Sequence, residues 1–436
     1  MFGMYTLIGA ALMIGLLASP LRAGEDIPVA ARFILVKAGQ LSDGGDTEAA
    51  IELLKNFQMK AGDPEDKATI RKGYLHNAVD FALGNCYLKL SQYDRAVECY
   101  QTAVKKNPGL ADGWINLARC CYELGRNGDA ANAFVKGYDA GEKKEPVYLY
   151  YSSVCRLAQG DADQAYALFM QLLNAHPDDI EPTWKESLVQ ILFALEKYAE
   201  ALPYIETLAE TSTGAKKKEW QNVLLSQYIM LGMDERAALY AEKLIEEDPL
   251  ESRWWKALCH IHLSKDRFKE GLCALILYSF LTPLTDEEKG LIGDLCMMLE
   301  IPEKAVSHYE SIAGVDKSGE TIKKLYRAHM GLHDAASALA WIEKGLAQND
   351  DPDLLMAKGN ILYENARFDE AAAVYEKITT QKEADGQAFL MLGYALWNIG
   401  DLTGAEKAFV KAGDYSKERK PARKALAQLS RANANS

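Results

Sequence analysis

The chain has 436 residues, 49% of them apolar and 25% charged, with 62 acidic against 49 basic side chains and a formal net charge of −13. That much apolar surface excludes a disordered low-complexity chain. The acidity argues against a sequence-independent hold on nucleic acid, which needs many cations on phosphate, so no nucleic-acid partner is expected.

Residues 1–23 open the chain with an uncharged apolar run, Met4 to Leu17, and end on the small residue Ala23. This is the outline of a secretory signal, although no Lys or Arg precedes the run and Leu21 is bulky two residues before Ala23. The alternative is an uncleaved anchor, since the run approaches the lower limit of about 17 residues for a membrane span. Membrane association is expected only in that case. Residues 24–76 follow as a degenerate helical pair near Ala31 to Gln58 and a polar insertion.

The next stretch, FALGNCYLKLSQYDRAVECYQTAVKKNP, covers residues 81–108. Leu83, Gly84 and Tyr87 recur at helical spacing before Ser91, and Ala96, Tyr100 and Ala103 do so after it. Two amphipathic helices joined by a tight turn are predicted. One such hairpin buries too little apolar surface to offset its ordering entropy, so it needs neighbours. They follow at a spacing of 34 residues, where Ala96, Tyr100 and Ala103 map to Ala130, Phe134 and Gly137. An alanine four residues before a large side chain recurs as Ala165 with Phe169, Ala201 with Ile205, Ala305 with Tyr309, Ala371 with Tyr375 and Ala405 with Phe409. Pro108, Pro177 and Pro249 stop second helices because proline lacks an amide hydrogen.

These offsets resemble the tetratricopeptide repeat (TPR) family: Trp114, Leu117 and Ala118 fit the first half of its pattern, Ala96, Tyr100, Ala103 and Pro108 the second. The resemblance implies an all-α fold, an α-solenoid superhelix of ten to eleven helical hairpins. Units are expected to start near Asn77, Ala111, Pro146, Pro182, Lys218, Ser252, Asp286, Gly319, Pro352 and Gly386, as one continuous array over residues 77–416. Residues 417–436 read as a capping helix and tail, with Ala422, Leu426 and Leu429 on one side and a basic remainder.

In the resembled family the first helices line a concave groove that holds a protein or peptide partner. Carried onto this chain, the groove positions are Asn85, Arg119, Tyr122, Tyr150, Gln190, Asn222, His260, Arg327, Asn360, Tyr394 and Trp397. The three asparagine amides are expected to face solvent and pair with an extended backbone, and the aromatic residues to serve as anchors. The Lys and Asn set that some members use to clamp a C-terminal carboxylate is represented only by Lys323 and Arg327.

No catalytic, cofactor-binding or metal-ligating set is legible: there is no phosphate loop, HExxH, haem-attachment motif or nucleophile elbow. His329 and His333 stand four apart without a third ligand, His260 and His262 face different directions, and Cys86, Cys120 and Cys155 share one position of three first helices, as small packing residues do. The chain therefore reads as a binding surface, not an enzyme and without cofactor. A narrower resemblance, carried by the LGNCY and WINLA strings within residues 77–145, is to periplasmic TPR proteins that accompany the TonB, ExbB and ExbD system. It implies a periplasmic or otherwise exported adaptor, or one anchored in the inner membrane with the array outside the cytoplasm, with TonB-system proteins as partners. A scaffold for cell-envelope or polysaccharide assembly is the alternative, and an enzyme with an unrecognised site is the alternative of a different class.

Overall fold

A computed structural model describes residues 27–314, 316, 319–380 and 386–434. The expected signal or anchor, residues 1–23, lies outside them. Among the described residues every regular element is helical, and no helix is long and apolar enough to cross a membrane. The chain divides into two compact units at Gly232 and Met233.

The first unit pairs α1 (Val29–Asp43) with α2 (Thr47–Gln58), α4 (Asn77–Lys89) with α5 (Tyr93–Lys106), α6 (Ala111–Glu123) with α7 (Asn127–Ala140), α8 (Pro146–Gln159) with α9 (Ala162–Ala175), and α10 (Pro182–Ala194) with α11 (Tyr198–Thr211). It ends on α12 (Gly214–Met230). The insertion after α2 folds as the short α3 (Lys67–Lys72), closed by Gly73 in the left-handed region and by Tyr74, whose ring packs edge-on against Phe57 at 4.8 Å. The second unit opens on α13 (Asp234–Glu247) and pairs α14 (Ser252–Leu263) with α15 (Phe268–Leu281), α16 (Asp286–Met298) with α17 (Pro302–Ile312), α18 (Glu320–Gly331) with α19 (Ala335–Leu346), α20 (Pro352–Glu364) with α21 (Phe368–Thr379), and α22 (Gly386–Asn398) with α23 (Leu402–Ala412). A last helix, α24 (Arg419–Ala434), buries Ala422, Ala425 and Leu429 and packs on Ala405 and Phe409 as a cap.

One local device sets the register. Each first helix from α4 onward is followed by a turn residue in the left-handed region: Gly125, Gly160, Gly232 and Gly400, and also Ser91, Glu196, Asp266, Glu300, His333 and Ala366, these six at φ of 56–58°. In nine of these turns the next amide donates to the carbonyl four residues before the turn residue, as Gln92 does to Tyr87 and Arg126 to Cys121, at 2.8–3.0 Å. This satisfies a carbonyl that the helix end would leave orphaned. Second helices then start on a side-chain cap where Asp161, Asp334 and Asp401 accept the amides of Gln164, Ser337 and Gly404. Trp114 and Trp255 add a tie of their own, each donating its indole N–H at 2.9 Å to the carbonyl of the proline six residues before it, Pro108 and Pro249.

Packing follows the same register. Five residues after the turn residue stands Ala96, Ala130, Ala165, Ala201, Ala237, Ala305, Ala338, Ala371 or Ala405, all with no exposed surface, with Gly271 in the remaining place. Four residues on, except after Ala237 where Ala241 stands, comes a larger buried side chain that fills the hollow between successive hairpins, among them Tyr100, Phe134, Phe169, Tyr309, Tyr375 and Phe409. Four residues before the turn residue the first helices bury Tyr87, Cys121, Leu192, Tyr228, His262, Cys296, His329 and Leu362, and half-bury Leu396. Arg156 occupies the tenth of these places.

The cysteines belong to this packing. All eight are free thiols; Cys86, Cys120, Cys121, Cys155, Cys259 and Cys296 are buried and Cys273 is exposed. Burial pushes the thiols of Cys120 and Cys155 up to about 12, and those of Cys121 and Cys259 to about 11. Thiolate is the reacting form, so brief iodoacetamide treatment of the native protein should label Cys273 and spare these four until denaturant is added. Mass spectrometry showing native Cys120 modified as fast as Cys273 would contradict the packing.

Candidate functional site

Counting back from the turn residue, the places ten, six and three residues earlier share one face of a first helix. The eleven residues expected to meet a partner all stand there: Tyr150 and Asn222 ten back, Tyr122 and Trp397 three back, the rest six back. His260 and Arg327 are exposed, and Asn85, Arg119, Tyr122, Gln190, Asn222, Asn360, Tyr394 and Trp397 are half-buried.

Tyr150 departs from the expectation. It is buried, its ring stacked on Trp184 at 4.8 Å and its hydroxyl 3.1 Å from Ser187 Oγ, because α8 and α10 close over it. Nor do Asn85 and Asn360 hold an idle amide. The Tyr100 hydroxyl donates to Asn85 Oδ1 at 2.7 Å, with Asn116 Nδ2 donating to the same oxygen at 3.1 Å, and the Tyr375 hydroxyl donates to Asn360 Oδ1 at 2.7 Å. Tyr309 does the same to Asp294 at 2.7 Å. Wherever the large residue of the second helix is tyrosine, the place six back is Asn or Asp; where it is Phe134, Phe169, Ile205 or Phe409, that place holds Arg119, Val154, Gln190 or Tyr394. A buried hydroxyl needs an acceptor, and this pairing supplies it.

In the second unit the face carries a cleft of about 520 Å³, lined by Asp286, Glu287, Gly290, Asp294, Ile312 and Lys324 among others. Lys324 donates to Asp294 at 2.8 Å. Lys323 is held by Asp351 at 3.0 Å and Asp353 at 3.2 Å, and the bond to Asp351 raises its pKa well above the usual lysine range. A lysine so engaged is not free to clamp a carboxylate. Towards the end of the unit the face turns aromatic: Tyr394 and Trp397 stand edge-on to Phe409, with centroids at 5.1 and 6.3 Å, and Tyr363 on α20 accepts from Asn398 Nδ2 at 3.1 Å. Tyr363 occupies the place three back in its helix, so the register alone identifies it as a further face residue.

His333 sits in a turn with φ of 58°, while His329 is buried with Nδ1 3.6 Å from the Asp334 carboxylate. Among the described residues no three His, Cys, Asp or Glu side chains gather as metal ligands.

Family models described as tetratricopeptide repeat match residues 81–145, 148–179, 324–388 and 356–418. The chain carries tetratricopeptide repeats. A TPR repeat-containing protein of Methanocaldococcus jannaschii is 22% identical over 337 residues, which is 75% of this chain and 54% of that one, so the chain spans about half the length of the curated relative it matches. Among solved structures, Naa15/Naa10 bound to HypK-THB aligns over 91% of this chain and 74% of its own at 14% identity and a TM-score of 0.42. YrrB, a TPR protein with an unusual peptide-binding site, aligns over 42% of this chain and 96% of its own at 18% identity and a TM-score of 0.35. The stretches of this chain that match the family contain the residues that make the tyrosine pairing, Asn85 with Tyr100 and Asn360 with Tyr375.

Proposed function

We propose that the chain is an exported scaffold or adaptor that holds a protein or peptide partner on its first-helix face in a bacterial cell envelope, with TonB-system proteins as the partners to test first. The supporting observation is the aromatic end of that face, where Tyr363, Tyr394 and Trp397 stay half-buried beside polar neighbours. Interfaces favour such amphipathic anchors. Export is supported by the apolar run Met4 to Leu17 before Ala23, with a mature terminus near Gly24. The reading leaves no reaction to the protein.

Tagged protein captured from its native envelope, with mass spectrometry of what it holds, tests the partner. Recovery of TonB, ExbB or ExbD supports the adaptor, and recovery of assembly enzymes alone replaces it with an envelope-assembly scaffold. Substituting Tyr394 and Trp397 together by Ala should lower capture at least tenfold, as loss of two interface anchors does. Asn360→Ala is expected to act differently: it leaves the buried Tyr375 hydroxyl without its acceptor and costs about 1–3 kcal/mol of stability. Undiminished capture by the Tyr394 and Trp397 variant, with circular dichroism unchanged, would remove this face from the function.

A further inference from the structure

One hairpin breaks the register that the others keep, twice and on one face. Four residues before the turn residue, where the other first helices place a buried or half-buried side chain of the core, α8 carries Arg156. Eight residues before it, where eight hairpins have Leu or Ile, α8 carries the fully buried Ser152, whose hydroxyl donates to the Ala131 carbonyl at 2.9 Å. Two others depart at that place: Lys358, which is paired with Glu343 at 3.1 Å, and the exposed Lys37 of α1, eight residues before Gly45. Residues 152 and 156 stand one helical turn apart, so the volume lost at Ser152 and the polar head of Arg156 fall on a single spot. A cleft of about 580 Å³ opens there between the second helices α7 and α9, with α8 as its floor.

The lining is specific in chemistry. Arg156 spends its two terminal nitrogens on neutral oxygens, those of Asn132 and Gln159, and its Nε is buried without a partner. Lys136 leans over the Trp114 ring at 4.5 Å. Neither cation has an ion pair among the described residues, and one carboxylate, Asp139, shares the cleft with them. Arg156 is half-buried, and a guanidinium held partly out of water costs stability unless something compensates its charge. Asn132 and Asp139 on one wall, and Gln164 and Gln171 on the other, are seven residues apart, which makes the trough about 10 Å long. That accommodates about three residues of extended chain, with wall amides to meet its backbone.

The geometry points to a second binding site, on the second-helix face, for an extended acidic peptide segment of a partner, whose Asp or Glu carboxylate pairs with Arg156 and Lys136. The planar fork of arginine suits a carboxylate, and the site belongs to the first unit whereas the aromatic residues Tyr363, Tyr394 and Trp397 belong to the second, so either can fail alone. It is tested by panning a displayed library of random heptapeptides on the full chain, then measuring the enriched peptides, synthesised with free and with amidated C-termini, by fluorescence anisotropy. Expected are peptides with an internal Asp or Glu that bind equally in both forms. Arg156→Leu should weaken them at least tenfold, Arg156→Lys and the rim variant Lys136→Ala severalfold less. Ser152→Leu with Arg156→Leu restores the core pattern, so that variant should lose the peptides while melting at a higher temperature than the parent. Peptides without acidic residues, affinity that survives Arg156→Leu, dependence on a free C-terminus, or enrichment no greater than on the double variant would each overturn the site.

Discussion

Tyr309→Ala is expected to destabilise the protein by about 3–5 kcal/mol, the loss that follows removal of a fully buried aromatic ring. The ring of Tyr309 is 1% exposed and lies on Gly293, where an added Cβ would come within 2.4 Å of it. Its hydroxyl is tied to Asp294, and burial together with that carboxylate raises its pKa well above the usual tyrosine range, so it remains a donor at any ordinary pH. The contact with Gly293 allows a sharper test than the single variant. Gly293→Ala should cost about 1–3 kcal/mol in the parent, less the propensity gained by alanine in a helix, because the ring has nowhere to go. In the Tyr309→Ala background the same change should be neutral or stabilising, since the methyl then enters a void. Denaturant titration of the four proteins gives the coupling, expected above about 1 kcal/mol. Simple additivity would show that the glycine is not there to seat the ring.

The second large effect is a gain. Six turns between helices hold Ser91, Glu196, Asp266, Glu300, His333 and Ala366 at φ of 56–58°, a conformation that costs a residue with a Cβ about 1–2 kcal/mol. Glycine avoids that cost but gives back about 0.5–1 kcal/mol in unfolded-chain entropy. Each replacement by glycine is thus worth about 0.5 kcal/mol net, and each of the six stands in a different turn, so the effects are expected to add. All six together should raise stability by about 3 kcal/mol. Gly125→Ala, at φ of 71°, should move the other way. A lower thermal midpoint for the sixfold variant would mean that these side chains do more in the turns than endure them.

The hairpins were legible in the sequence because burial leaves few choices at two places. The alanine series from Ala96 to Ala405 and the large residues four on recur with the period of the hairpin, and both prove buried throughout. The partner face was legible only as a row of positions. Asn85 and Asn360 read as free amides because their hydroxyl partners, Tyr100 and Tyr375, lie 15 residues away on another helix, and only packing shows that the two meet. Tyr150 misled for a similar reason: the stacking ring of Trp184 comes from the next hairpin. Ser152 and Arg156 stood in plain sight as departures from the register, yet a serine and an arginine on a helix look like ordinary surface until their neighbours are known to be buried.

The order in which helices touch has a kinetic consequence. In each unit a helix packs on its neighbours in sequence or on the next but one, α4 on α5 and α6, α8 on α9 and α10, and the same holds around the short α3. Contacts therefore close only short loops, the condition under which folding barriers are low and chains find their native pairing within microseconds to milliseconds. A nascent chain can complete α4 through α7 while its remainder is still being made. No late segment must thread back to finish an early one, so a hairpin that opens can close again on the template of its neighbours, without the rest of the unit having to melt.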